Sequence, residues 1–247
     1  MPSYISHSIM ARDVYGKLNN NNVSLDYMLT YSLGGDLARF SRCRRTCHRE
    51  KMEEFIDNMW DYIKNNNLVN NRDYLGVLYG HICHYYMDMV CHPLIRKIDK
   101  ISIKVRVKSH TLIEGYIDSY LVKYKYNMNI EEFNTKYIFM SKIKNIYKMI
   151  DYVYNKTYGV KYISFSYFIS IFLYSKIRLL FILFGIRILK RISFFNKYIS
   201  INKDIDIVND NKKISYNNYL GNRCNDSFIE LYNESILLSL NRINNLK

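Results

Sequence analysis

Gly80-His81-Ile82-Cys83-His84-Tyr85-Tyr86-Met87-Asp88-Met89-Val90-Cys91-His92-Pro93 is the stretch on which the reading of this chain turns. On an α-helix His84, Asp88 and His92 stand at i, i+4 and i+8, which places two imidazoles and a carboxylate on one stripe. Leu78, Ile82, Tyr85 and Met89 form an apolar stripe beside them, so this helix is expected to face the core over a wide arc. A partly buried carboxylate flanked by histidines needs partners, and a metal ion supplies them.

Downstream, His110 and Glu114 repeat the four-residue spacing, and Asp118 extends the same face by a further turn. A lone His-x-x-x-Glu arises easily by chance. Two facing helices, each with a short histidine/carboxylate stripe, can instead build a metal cluster inside a helical bundle.

The rest of the chain suits such a bundle. Its 247 residues, 49% of them hydrophobic, can bury a sizeable core and fit one domain spanning 1–247. Two prolines and nine glycines are too few for the regular turns of a β-sandwich or barrel, so the expected fold is all-α. Apolar periodicity and breakers predict helices over 6–18, from an N-cap at Ser24, and over 46–65, 74–91, 109–126, 130–154 and 226–243. Gly34-Gly35-Asp36 reads as a loop, and the polar, Asn-rich segment 203–223 reads as a long loop before the final helix.

Five cysteines, with Cys43 and Cys47 at i, i+4 and Cys83 and Cys91 at i, i+8, suit buried reduced thiols better than a disulfide framework. The amino-terminal residues lack the basic flank and continuous apolar run of a secretory signal, so a cytoplasmic location is expected. A net charge of +14 attracts phosphate-bearing partners, either anionic lipid surfaces or nucleic acid. The most apolar stretch, 162–191, is divided by Lys176 and Arg178 into runs shorter than the roughly 20 residues needed to span a bilayer. If helical, it puts Lys176, Arg187, Lys190 and Arg191 on one face. That pattern suits an interfacial membrane helix, or a core helix whose basic stripe faces water.

His84-x-x-x-Asp88, His92-Pro93 and His110-x-x-x-Glu114 together resemble the zinc-dependent phospholipase C family, whose relatives include the single-strand-specific zinc nucleases. His7 is similar to the family's early histidine, Asp36 to its loop aspartate and His48 to its next histidine. The carboxy-terminal Ser227-Phe228-Ile229-Glu230-Leu231-Tyr232 also looks like the family's ending. Two features depart from the pattern: Asp88 and His92 lie closer together than in the classical enzymes, and Gly35 stands where proline commonly precedes the loop aspartate.

The resemblance implies an all-α fold binding two or three zinc ions. One would be held by Asp36, His48, His84 and Asp88, and a second by His92, His110 and Glu114. Asp88 would bridge to a third, bound by His7 and by the amino group of Pro2 after removal of Met1. His81 has no counterpart and is expected near the ligands or in solvent. Paired metal ions lower the pKa of a bridging water and stabilise charge on a phosphoryl oxygen, with Asp36 orienting or deprotonating that water. The implied activity is phospholipase C-like hydrolysis of a glycerophospholipid by a metal-bound hydroxide, with peripheral membrane contact through 162–191. Nucleic acid as substrate, or a noncatalytic zinc-stabilised or membrane-binding module, are the alternatives.

Overall fold

The computed structural model describes residues 4–18, 22–42, 50–102, 109–130, 132–133, 146–183 and 206–246. Among them are eight α-helices: α1 (Tyr4–Gly16), α2 (Leu25–Tyr31), α3 (Met52–Asn65), α4 (Arg72–Ser102), α5 (Ser109–Tyr126), α6 (Tyr147–Tyr158), α7 (Ile163–Leu183) and α8 (Phe228–Asn244). A 3-10 turn at Gly34–Ala38 and one antiparallel pairing of β1 (Tyr216–Asn217) with β2 (Arg223–Cys224) complete it. The expected all-α class is the observed one.

Helix α4 is the axis. Val77, Leu78, Ile82, Cys83, Val90, Cys91, Leu94 and Ile98 are buried on several of its sides, as in a helix enclosed by others rather than one lying on a surface. It packs chiefly against α2 and α8, and also against α1, α3 and α5. Gly76 and Gly80, one turn apart, make the close approach of α2 feasible. A Cβ on Gly76 would lie 2.5 Å from the Ser24 carbonyl oxygen, and one on Gly80 would lie 2.7 Å from that of Met28.

Several boundaries differ from expectation. Helix α4 continues through Pro93 to Ser102. Proline removes one backbone hydrogen bond, but Leu94, Ile95 and Ile98 are buried beyond it, and their packing carries the helix on. Of the segment expected as one helix over 130–154, Ile130 lies in a turn and helix begins only at Tyr147, while 134–145 lie outside the described residues. The helix expected from 46 begins at Met52, after Lys51 in the left-handed region at φ 56°. Within 203–223 the loop is tied by Asn209, whose side-chain amide donates to the carbonyls of Ile214, Asn225 and Asp226. Ser24 precedes α2 as expected, but its hydroxyl caps nothing. Helix α8 has a full capping box between Ser227 and Glu230.

Helix α7 is placed by its serine and tyrosine hydroxyls. Ser166 and Ser170 donate to the Leu37 carbonyl at 3.0 and 2.9 Å, and Tyr167 donates to the Gly34 carbonyl at 3.2 Å. These bonds fasten the 3-10 turn that carries Asp36. No helix among the described residues is long and apolar enough to cross a membrane.

Candidate metal centre

The stripe on α4 closes around Asp88. His84 Nε2 lies 3.6 Å from Asp88 Oδ2, and His92 Nδ1 lies 3.7 Å from Asp88 Oδ1. Helix α1 crosses α4 here and brings His7 Nε2 to 3.2 Å from Asp88 Oδ1. The rings of His7 and His84 stand 4.7 Å apart between centroids. One donor atom from each of His7, His84 and Asp88 lies within 4.8 Å of the other two.

The tautomer of His84 follows from its other nitrogen. Nδ1 is 3.1 Å from the Ser32 carbonyl oxygen, which can only accept, so Nδ1 carries the proton. In the neutral ring Nε2 then turns a lone pair toward a carboxylate oxygen. Two acceptors facing each other need a proton or a cation between them, and a backbone bond on the far nitrogen is the usual way a metal-binding histidine is oriented. Gly34 makes this approach feasible: it sits at φ +42°, and any Cβ there would collide with the His84 ring.

On the opposite side, Ser6, His7, Asp88, His92 and Glu114 line a cavity of about 20 Å³, walled by the apolar side chains of Met87, Ile95 and Ile117. That is room for a water molecule or a bare ion. The donors around it are imidazole nitrogens and carboxylate oxygens, a set that zinc accepts. His7 Nδ1 is buried with no hydrogen-bond partner among the described residues, as a nitrogen waiting for a ligand would be. Cys83 and Cys91 are buried thiols whose pKa values burial raises, so they remain protonated and behave as packing groups.

Charge in this corner is strongly coupled. Burial disfavours the imidazolium of His7, yet the carboxylates of Asp88, Asp36 and Asp118 outweigh it and raise the His7 pKa above the usual value. For His92 burial prevails over Asp88 and Glu114, and its pKa is lowered. Asp118, one turn beyond Glu114, is pushed up to about 7 by burial, against the hydrogen bonds it receives from Ser6.

Of the residues singled out in the sequence, His7, His84, Asp88, His92 and Glu114 therefore meet around this centre. Asp36 is buried in the adjoining 3-10 turn, close enough for its charge to act on His7. His110 starts the same helix one turn before Glu114, but its side chain lies outside the described residues, as do Pro2 and His48 altogether. His81 is not in solvent. It is buried between Tyr31, Phe55 and Tyr167, with Nδ1 2.9 Å from the Val77 carbonyl and Nε2 3.0 Å from the Tyr167 hydroxyl.

Two roles do not follow from the sequence. Asp118 accepts from the Ser6 backbone N–H at 2.8 Å and from its hydroxyl at 2.6 Å, anchoring the turn of α1 that carries His7. Its place one turn after Glu114 was the available signal. Tyr167 links His81, Tyr154 and Gly34, and nothing in its local sequence announced that role.

An all-helical protein with a buried histidine/carboxylate centre suited to zinc is the class so defined. The model of the zinc dependent phospholipase C family matches residues 1–167, and the chain belongs to that family. No curated protein and no solved structure matches it significantly. The family match ends within α7, before the carboxy-terminal segment whose ending looked familial in the sequence.

Proposed function

We propose that this protein hydrolyses the phosphodiester of a glycerophospholipid in the manner of a phospholipase C, releasing a diacylglycerol and a phosphorylated head group. The convergence of three imidazoles on Asp88, within a chain of this family, is the observation that carries it. In this assignment zinc would be held by Asp36, His48, His84 and Asp88, by His92, His110 and Glu114, and by His7 with Asp88 and the Pro2 nitrogen. When bound, zinc supplies Lewis acidity toward the phosphoryl oxygens and lowers the pKa of a coordinated water.

The chain's own groups supply the rest. Ser32 fixes the His84 tautomer, so its Nε2 is available as a ligand without a proton to lose. Asp88 stands between His7, His84 and His92, where its charge is shared by whatever they bind. Asp36 orients the attacking water and accepts its proton. Met87, Ile95 and Ile117 give the cavity apolar walls, and an apolar lining strengthens electrostatic interactions beside it. The net charge of +14 draws the anionic head group in. The protein works on the cytoplasmic side, touching the membrane peripherally through residues 162–191.

The test is a panel of zinc-loaded assays with short-chain glycerophospholipids and single-stranded nucleic acid. Release of a phosphorylated head group, abolished by chelation and restored by zinc, is the expected result. Cleavage of nucleic acid alone would move the substrate class. No turnover from a fully zinc-loaded protein would leave a structural zinc module.

A further inference from the structure

We propose that the outer face of α7 is a docking surface for an anionic lipid bilayer. The helix has two faces. Ile163, Ser166, Tyr167, Ser170 and Ile171 are buried, and the hydroxyls among them are committed to the 3-10 turn. Phe165, Phe168 and Phe172, at i, i+3 and i+7, point the other way and are 68, 57 and 50% exposed. Tyr162, at 81%, and Leu173 extend the row, and the rings of Phe168 and Phe172 stack with centroids 6.4 Å apart.

Phe40, 54% exposed, adds to the patch from the adjoining turn, where its N–H donates to Ser166 Oγ at 3.1 Å. A row of exposed aromatics on a helix whose core face is already occupied is an interaction site rather than ordinary surface. Its surroundings choose the partner. The Arg39 guanidinium lies 5.6 Å from the Phe40 ring centroid, and Arg42 and Lys161 are exposed nearby. From Tyr162 to Lys203 the sequence has no acidic residue, but it has Lys176, Arg178, Arg187, Lys190, Arg191 and Lys197. Exposed aromatic side chains together with Arg39, Arg42 and Lys161, in a sequence with no acidic residue from 162 to 203, match the boundary between anionic head groups and acyl chains.

This names the surface that the lipid-hydrolase reading needs, but it stands without catalysis. Since the inner face of α7 holds the turn bearing Asp36, docking through the outer face would hold the candidate metal centre at a fixed distance from the lipid.

The experiment is co-sedimentation with phosphatidylcholine vesicles, with and without phosphatidylserine. The full chain is compared with a Phe165→Ser, Phe168→Ser, Phe172→Ser variant. Wild type should pellet with the anionic vesicles, and the variant should bind at least about tenfold more weakly, a change of about 1.4 kcal/mol, while keeping its melting temperature. In a Trp60→Phe, Phe168→Trp protein, whose single Trp lies on this face, the emission should shift to the blue on vesicle addition and be quenched by brominated acyl chains.

Equal pelleting of both proteins, no pelleting of wild type, or an unshifted Trp emission would overturn the proposal. So would a lowered melting temperature with unchanged pelleting, which would mean that another part of the chain covers the face. A dimer that the substitutions convert to a monomer would overturn it too, the occupant then being a second copy. On a monomeric short-chain phospholipid the variant should retain wild-type turnover. If neither protein hydrolyses any lipid while the difference in pelleting persists, docking stands and the hydrolase reading falls.

Discussion

Exchanging Asp88 for asparagine keeps the shape of the side chain and removes the charge that faces three imidazoles. Zinc affinity should then fall by more than the roughly 10–100-fold that loss of a ligand's hydrogen-bond partner costs, and hydrolysis should fall with it. Zinc titration and initial rates check both. Asp118 acts differently. Asp118→Ala removes the carboxylate that accepts from the buried Ser6 N–H and hydroxyl and should cost about 1–3 kcal/mol of stability, whereas Asp118→Asn still offers an oxygen to Ser6 and should cost less; equal melting of the two would contradict that role. His81 gives a pH signature. Burial lowers its pKa from 6.5 to about 4, so between those values the unfolded chain takes up a proton that the folded chain refuses. Its contribution is therefore full above about pH 6.5 and is lost as pH falls toward 4. The raised pKa of Asp118 works in the opposite direction. The observable is therefore the difference in melting temperature between wild type and His81→Phe, which should shrink as the pH is lowered across that window. The stripe of His84, Asp88 and His92 could be read from spacing alone, because helical periodicity fixes it. The bond from Ser6 to Asp118 spans 112 positions and that from Tyr167 to Gly34 spans 133, and no local pattern encodes either.

At the scale of elements, Gly80 shows how composition shapes packing. A Cβ there would lie 2.7 Å from the Met28 carbonyl oxygen, 2.8 Å from the Tyr31 carbonyl carbon and 2.9 Å from the Ser32 nitrogen, all backbone atoms that cannot swing aside. Gly80→Ala improves intrinsic helix propensity yet should lose about 1–3 kcal/mol by overpacking, with a lower melting temperature as the readout. It also presses on Ser32, whose carbonyl fixes the His84 tautomer, so zinc binding should weaken in parallel. The sequence showed most helices through their apolar spacing, and it misjudged ends where tertiary packing outweighed a local signal. The helix expected over 74–91 runs on through Pro93 to Ser102. The run from 130 looked like continuous helix, yet Ile130 lies in a turn.

Over the whole molecule, the centre gathers groups from α1, α4, α5 and the 3-10 turn, segments that the core also joins through α4. Binding that favours only the folded chain stabilises it by about 4.1 kcal/mol when free ligand exceeds the dissociation constant 1,000-fold. Zinc should therefore act on folding as well as on chemistry. The most direct measurement is zinc content per chain, taken together with melting temperature and lipid hydrolysis before and after chelation. Two or three zinc ions are expected, with chelation lowering both melting temperature and activity and zinc restoring both. A folded chain that binds no zinc, melts identically with and without chelator, and hydrolyses no phosphodiester would contradict the assignment.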